Sequence, residues 1–152
     1  MTSTSRSATI LVVEDDEDDR VLIRDAFAEV RPSAQLRFLS NGQELLDLLQ
    51  DRGGFGAIRM PSRRVVILLD LNLPRKDGRK TLPELKTNPA LVQIPVVVLT
   101  ASTAPSDITA SYRSGASSYL VKPSTFSELK KMMDSLAIYY LDMAKLPPFP
   151  GR

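Results

Sequence analysis

At 152 residues, with 43% hydrophobic and 25% charged side chains, the chain has the size and composition of one ordinary globular domain, with no room for a second. A net charge of +2 is too small to argue for nucleic acid by itself, and beyond the loose trio Arg59, Arg63 and Arg64 no run of Lys and Arg forms a basic stripe, so no direct nucleic-acid contact is expected. The absence of Cys and His excludes disulfides, thiolate and imidazole metal sites and the usual general base, so any chemistry must run on carboxylates, hydroxyls and Lys.

The opening M-T-S-T-S-R-S-A is small and polar, lacks the apolar segment of a signal peptide, and is expected to be a disordered tail over residues 1–8. No apolar run approaches the ~20 residues that span a bilayer, so a soluble cytoplasmic protein without a membrane contact is expected. Thr9 to Val13 is a short β-branched run that predicts a buried strand, and six acids follow it, Glu14, Asp15, Asp16, Glu17, Asp18 and Asp19. Val21, Leu22, Ala26, Phe27 and Val30 recur at helical spacing until Pro32. Glu17, Asp18 and Asp19 therefore read as first-turn acids favoured by the helix dipole. Glu14 and Asp15 leave a buried strand directly and are candidate site residues.

Ala34 to Leu39 predicts an amphipathic edge strand, and Ser40-Asn41-Gly42 turns it into a helix carrying Leu45, Leu46, Leu48 and Leu49. Residues 50–64, rich in Gly and Arg without a period, read as a long surface loop and a candidate partner contact. Val65 to Gly78, V-V-I-L-L-D-L-N-L-P-R-K-D-G, predicts a strand buried on both faces that delivers Asp70 at its carboxyl end. A helix with Leu82 and Leu85 then runs to Asn88-Pro89, and Ile94 to Leu99 forms another buried strand with Thr100, Ala101 and Ser102 at its exit. Pro105 to Ser114 predicts a helix, Gly115-Ala116 its stop, and Ser118 to Val121 the last strand, ending at Lys122-Pro123. Ser124, Thr125 and Ser127 open a final helix whose Phe126, Leu129, Met133, Leu136, Tyr140 and Met143 form one apolar seam. Beside it, Met132, Tyr139 and Leu146 form a second, which either meets a partner or widens a core face covered by the chain's own tail.

Strand then helix, five times over, calls for an α/β fold with a parallel sheet and helices on both faces. Right-handed crossovers leave few topologies, and the doubly wound order 2-1-3-4-5, flavodoxin-like, brings the exits of strands 1, 3, 4 and 5 to one edge. Those exits would gather Glu14, Asp15, Asp70, Thr100, Ala101 and Lys122. Carboxylates are the hard oxygen ligands that Mg²⁺ prefers, Lys122 offsets part of their charge, Thr100 offers a hydroxyl, and Ala101 leaves space.

At V-V-E-D (Val12 to Asp15), L-L-D-L-N-L-P around Asp70, V-V-L-T-A ending at Ala101 and G-A-S-S-Y-L-V-K-P ending at Pro123, the sequence resembles the CheY-like receiver domain of two-component response regulators. A chemotaxis receiver is itself an example of the order 2-1-3-4-5, so the two inferences are not independent. The resemblance implies a receiver over residues 9–146 with an extended last helix and a tail at 147–152. It implies that Asp70 accepts a phosphoryl group from a phosphohistidine on a sensor histidine kinase. Asp15, Asp70 and the main-chain carbonyl of Asn72 would ligate Mg²⁺, with Glu14 acting through water. Thr100 and Lys122 would bind phosphoryl oxygens, and Thr100 and Tyr119 would switch together. Asn72 and Ser102 would flank the site where hydrolysis is tuned, and Lys122–Pro123 is a candidate for a cis bond.

The end Y-Y-L-D-M-A-K-L-P and the long loop before strand 3 further resemble the single-domain regulators of bacterial and cyanobacterial phytochromes, which makes a bacteriophytochrome the expected donor. A homodimer through helix 4, strand 5 and helix 5 is expected, with no output domain after Leu146 and at most slow self-dephosphorylation. The competing expectation is a Mg²⁺-dependent phosphohydrolase with an aspartate nucleophile of the haloacid-dehalogenase kind. Such enzymes resemble D-x-D on their first strand, whereas Asp70 is on the third and precedes Leu71 and Asn72. A receiver acting without phosphorylation is the third reading.

Overall fold

The computed structural model describes residues 8–50 and 64–148. The expectations for the tail at 1–7, for most of the 50–64 loop with Arg59 and Arg63, and for residues 149–152 lie outside these. The order of elements is β1 (Thr9–Val13), α1 (Glu17–Val30), β2 (Gln35–Leu39), α2 (Gly42–Leu49), β3 (Val65–Leu69), α3 (Gly78–Thr87), β4 (Val96–Thr100), α4 (Pro105–Arg113), β5 (Ser118–Val121) and α5 (Phe126–Ala137), continued by a π-helical turn over Ile138–Met143. The strands form one parallel sheet in the order β2-β1-β3-β4-β5.

β1, β3 and β4 are buried along their whole length, as expected for β-branched and leucine-rich runs with helices on both faces. β2 is mostly half-buried, which fits the edge position expected of it. Side chains alternate across the sheet, so it carries two cores. On one face Leu11, Val13, Ile67, Leu69, Val96 and Val98 pack with the leucines of α2 and α3. On the other, Ile10, Val12, Leu68, Val97 and Leu99 meet Ile23, Ala26 and Phe27 of α1 and Leu129, Met133 and Ala137 of α5. Each of the larger side chains contributes roughly 1.5–3 kcal/mol when taken out of water.

The starts of α2, α3 and α5 are fixed by side-chain caps. Asn41 accepts from the Glu44 N–H, Asp77 from that of Lys80 and Thr125 from that of Glu128. Glu44 returns a bond to the Ser40 N–H at 2.7 Å, closing the turn from β2 into α2.

Several expectations are corrected. Ala8, assigned to the tail, is buried against the start of β1. In α1 the core contact is made by Ile23, while Leu22 is exposed. β4 begins at Val96 rather than Ile94, because Ile94 is drawn into a turn on Leu91 and Pro95 offers only its carbonyl, to Ile67. The strand consequently includes Thr100, which pairs with Val121. The Lys122–Pro123 bond is trans, with no cis peptide among the described residues, in line with the usual preference of X–Pro bonds.

The last helix does not keep its period. After Ala137 the backbone widens into the π-helical turn, closed by the Ala144 N–H donating to the Tyr139 carbonyl at 2.7 Å. Arg31 holds the turn by two bonds to Asp142, at 2.9 and 2.6 Å. The added residue per turn rotates the seams beyond Ala137, leaving Met143 65% and Tyr139 54% exposed while Tyr140, like Met132 before the turn, packs on the α1 side of the sheet. Beyond it the chain is pinned by Arg64 Nε donating to the Leu146 carbonyl and Gln93 Nε2 to that of Pro148. No helix among the described residues is long and apolar enough to cross a membrane.

Candidate functional site

Ladder-like hydrogen bonds continue beyond the strands and fix the residues that leave them. The Glu14 N–H donates to the Leu39 carbonyl at 2.9 Å, Asp70 to Val13 at 3.1 Å, and Lys122 to Thr100 at 2.8 Å. The exits of β1, β3 and β5 thereby present their side chains to one hollow at the carboxyl edge of the sheet. Gly78 closes the β3–α3 turn through its N–H on the Leu71 carbonyl. A Cβ there would stand 2.2 Å from the Asp70 carbonyl oxygen, so only glycine lets α3 begin against the backbone of Asp70. Within the same turn Arg75 adopts φ 62°, a left-handed conformation that a β-carbon disfavours.

The centre of the hollow is the Lys122 ammonium. It donates to Asp70 Oδ2 at 2.8 Å, to Glu14 Oε1 at 2.7 Å and to Asp19 Oδ2 at 2.7 Å. Glu14 and Asp70 are buried, 2% and 5% exposed, and Thr100 is buried beside them. Asp70 Oδ1 accepts the Asn72 N–H at 3.1 Å, and Glu14 Oε2 accepts that of Asp16 at 3.0 Å.

Burial pushes the Asp70 carboxyl up, but the bonds from Lys122, the Asn72 N–H and the Thr100 side chain outweigh it and hold Asp70 below its ordinary value. Glu14 goes the other way. Burial, reinforced by the charge of Asp70 and resisted by Lys122 and the Asp16 N–H, pushes it up to about 7. Burial disfavours the Lys122 ammonium, yet its bonds to Asp19, Asp70 and Glu14 keep it charged well above its ordinary value. The two neighbouring carboxyls are thus driven apart, with Asp70 held ionised near neutral pH.

The structure therefore brings Glu14, Asp70, Thr100 and Lys122 together. Asp15 is exposed at the same exit, as are Asn72 and Ala101 at theirs. Tyr119 is half-buried against the core and donates its hydroxyl to the Ser102 carbonyl at 2.9 Å. Asp19, which reads as a first-turn acid favoured by the helix dipole, is a third anion on Lys122, a partner 103 residues away and beyond any local pattern. Arg20, also not anticipated, ties the exit of β1 to that of β2 through Nε on the Glu14 carbonyl and Nη2 on Ser40 Oγ.

Three carboxylates around one ammonium leave excess negative charge on hard oxygen donors. That chemistry suits a hard divalent ion. No group of three or more acids is spaced to hold a metal among the described residues.

Residues 10–134 match the family model described as response regulator receiver domain. The chain is 38% identical over 138 residues to response regulator Rcp1 of Synechocystis sp., covering 91% of this chain and 92% of that protein. A crystal structure of Rcp1 in its Mn²⁺-bound form superposes with a TM-score of 0.81 over 92% of this chain and 99% of that one. The phosphorylated cyanobacterial phytochrome response regulator RcpA superposes at 0.83, with 35% identity over 93% and 99% of the two chains. RPA3017, a response regulator in red light signaling of R. palustris, superposes at 0.81, with 34% identity over 92% and 98%. An aspartate held ionised by a lysine at the carboxyl edge of a 2-1-3-4-5 sheet, and likeness along nearly the whole chain, lead to one assignment: the chain belongs to the response regulator receiver domain family and serves as a phosphoacceptor in signalling.

Proposed function

We propose that Asp70 is the acceptor and that the donor is a phosphohistidine on a sensor histidine kinase of the bacteriophytochrome kind. A lone pair on an Asp70 carboxylate oxygen attacks phosphorus, the phosphorus–nitrogen bond breaks, and its electron pair returns to the imidazole, leaving an acyl phosphate. Phosphoryl transfer needs positioning and charge neutralisation more than covalent help. Lys122 moves its bond from the carboxylate to a phosphoryl oxygen, and Thr100 offers a second donor. Asp15, Asp70 and the Asn72 carbonyl would hold Mg²⁺, with Glu14 acting through water. When bound, the ion neutralises charge on the phosphoryl oxygens. The observation that carries this reading is the 2.8 Å bond between Lys122 and Asp70 inside a cluster where one ammonium serves three carboxylates.

The phosphorylated state named for RcpA, the Mn²⁺ named for Rcp1 and the red-light role named for RPA3017 support the acceptor, the divalent ion and the donor in turn. Tyr112 on α4, Val121 on β5 and Tyr139 after α5 are exposed large apolar side chains, which supports self-association through that face. The receiver is taken to span residues 9–146. Incubation with acetyl phosphate and Mg²⁺, followed by intact mass, is expected to add one phosphoryl group to the wild type and none to Asp70→Asn or to the wild type in EDTA. An equal label on Asp70→Asn would overturn the assignment. Sizing both forms in solution tests the dimer, which a monomer at all concentrations would rule out.

A further inference from the structure

One ion pair outside the acidic hollow ties together two loops that border it. Arg79, in the first turn of α3, donates Nε and Nη2 to the two carboxylate oxygens of Asp107 at 2.8 and 2.9 Å. Its Nη1 donates to Asn72 Oδ1 at 3.1 Å and more weakly to the Leu71 carbonyl at 3.4 Å. Asp107, in the first turn of α4, also accepts from Ser102 Oγ at 2.6 Å. Asn72 is therefore bonded to the cation, and Ser102 to the anion, of the same pair.

Both residues stand next to groups that touch Asp70. The Asn72 N–H reaches Asp70 Oδ1 directly, and the Ser102 N–H approaches Thr100 Oγ1 at 3.5 Å, while the Thr100 side chain bonds to Asp70. Asp70 and Thr100 are buried, whereas Asn72 and Ala101 are exposed, so the surface nearest the carboxylate on this side is made by the β3–α3 and β4–α4 loops. A bidentate guanidinium–carboxylate pair fixes direction as well as distance, so one contact sets the separation of both loops. Tyr119 extends the bracket to β5 through its hydroxyl on the Ser102 carbonyl.

We propose that the Arg79–Asp107 pair is a positioning device that sets the lifetime of the acyl phosphate, by holding Asn72 and Ser102 as the two sides of the opening through which water reaches phosphorus. The inference rests on Asp70 being the acceptor. In the step it governs, a water oxygen bonds to phosphorus and the bond from phosphorus to the Asp70 carboxyl oxygen breaks with its electron pair returning to the carboxylate. A water proton is released, and inorganic phosphate leaves. With the pair broken, Asn72 and Ser102 lose their anchors, the opening widens, and hydrolysis quickens.

The test labels wild type, Arg79→Ala and Asp107→Asn with acetyl phosphate and Mg²⁺, removes the donor by rapid desalting, and follows the remaining label by intact mass. Loss of label is expected to be about threefold to tenfold faster in both variants, the scale on which contacting residues couple. Arg79→Ala is then placed in an Asn72→Ala/Ser102→Ala background, where both sides of the opening are already gone and no further acceleration is expected. Melting curves taken first identify any variant that unfolds, and Asp107→Asn, which keeps the side-chain shape, carries the test if Arg79→Ala does. Wild-type lifetimes in the folded variants, or an equal acceleration in the double background, would overturn the inference. A wild type that takes no label would overturn the assignment of Asp70 instead.

Discussion

Replacing Lys122 with Met keeps the length of the stem and removes the ammonium that three carboxylates share. Glu14 and Asp70 are then buried against each other without a counter-charge. Removing one partner of a buried pair costs about 3–5 kcal/mol, and because the Lys122 side chain is 18% exposed and Asp19 more open still, the lower end, about 3 kcal/mol, applies at pH 8. For a chain of 152 residues this lowers Tm by about 6–12 °C. The sign with pH follows from proton binding. Without the ammonium, burial and mutual repulsion hold both carboxyls above their ordinary values, so the native state takes up protons that the unfolded chain does not. The deficit is therefore largest above those raised values and shrinks as pH falls toward 5. Calorimetric melts of both proteins at pH 5 and pH 8, with and without millimolar Mg²⁺, measure it, and Mg²⁺ is expected to recover part of the loss at pH 8. A deficit that is the same at both pH values and indifferent to Mg²⁺ would refute the electrostatic reasoning and leave only lost packing.

Three further outcomes are expected. Gly78→Ala drives a Cβ to 2.2 Å from the Asp70 carbonyl and 2.9 Å from the Leu71 Cα, backbone atoms that cannot swing aside, so it destabilises by roughly 1–3 kcal/mol and slows labelling by acetyl phosphate; unchanged melting and labelling would mean that the turn yields. The bonds from Arg79 and Ser102 lower Asp107 from its ordinary 3.8 to about 2, so its contribution to stability is present in full above the unfolded value and lost as pH falls through about 2. The stability difference between wild type and Asp107→Asn should accordingly close between pH 5 and pH 2 in urea titrations, and a constant difference would sink that reading. Phe27→Ala empties a site between α1 and the sheet that is 1% exposed and costs about 3–5 kcal/mol in urea unfolding; a loss under 1 kcal/mol would show that the α1 layer closes over the gap.

What could be read from the sequence was whatever depends on local pattern. β1, β3 and β5 were bounded correctly because each is a short apolar run between polar or turn residues, and burial on both faces followed from the lack of alternation in V-V-I-L-L. Glu14, Asp70, Thr100 and Lys122 could be gathered because strand exits in a parallel sheet share an edge. What escaped depends on contacts between distant parts of the chain. Asp19 looks like any first-turn acid until Lys122 arrives, and the Arg79–Asp107 pair joins two helices whose sequences show only a surface cation and a surface anion. The π-helical turn escaped for a related reason. The apolar spacing of Tyr140 and Met143 fits an α-helix, but the extra residue per turn is held in place by Arg31 at the end of α1, which no heptad pattern records.

The central claim is that the carboxylate of Asp70, and no other acid of the hollow, carries the phosphoryl group. Reductive trapping tests it most directly: the labelled protein is treated with borohydride, which converts an acyl phosphate to an alcohol, then digested and mapped by tandem mass spectrometry. Homoserine is expected at position 70, with Glu14, Asp15 and Asp19 unmodified. Reduction at any of those three, or label lost without a reduced residue at position 70, would contradict it.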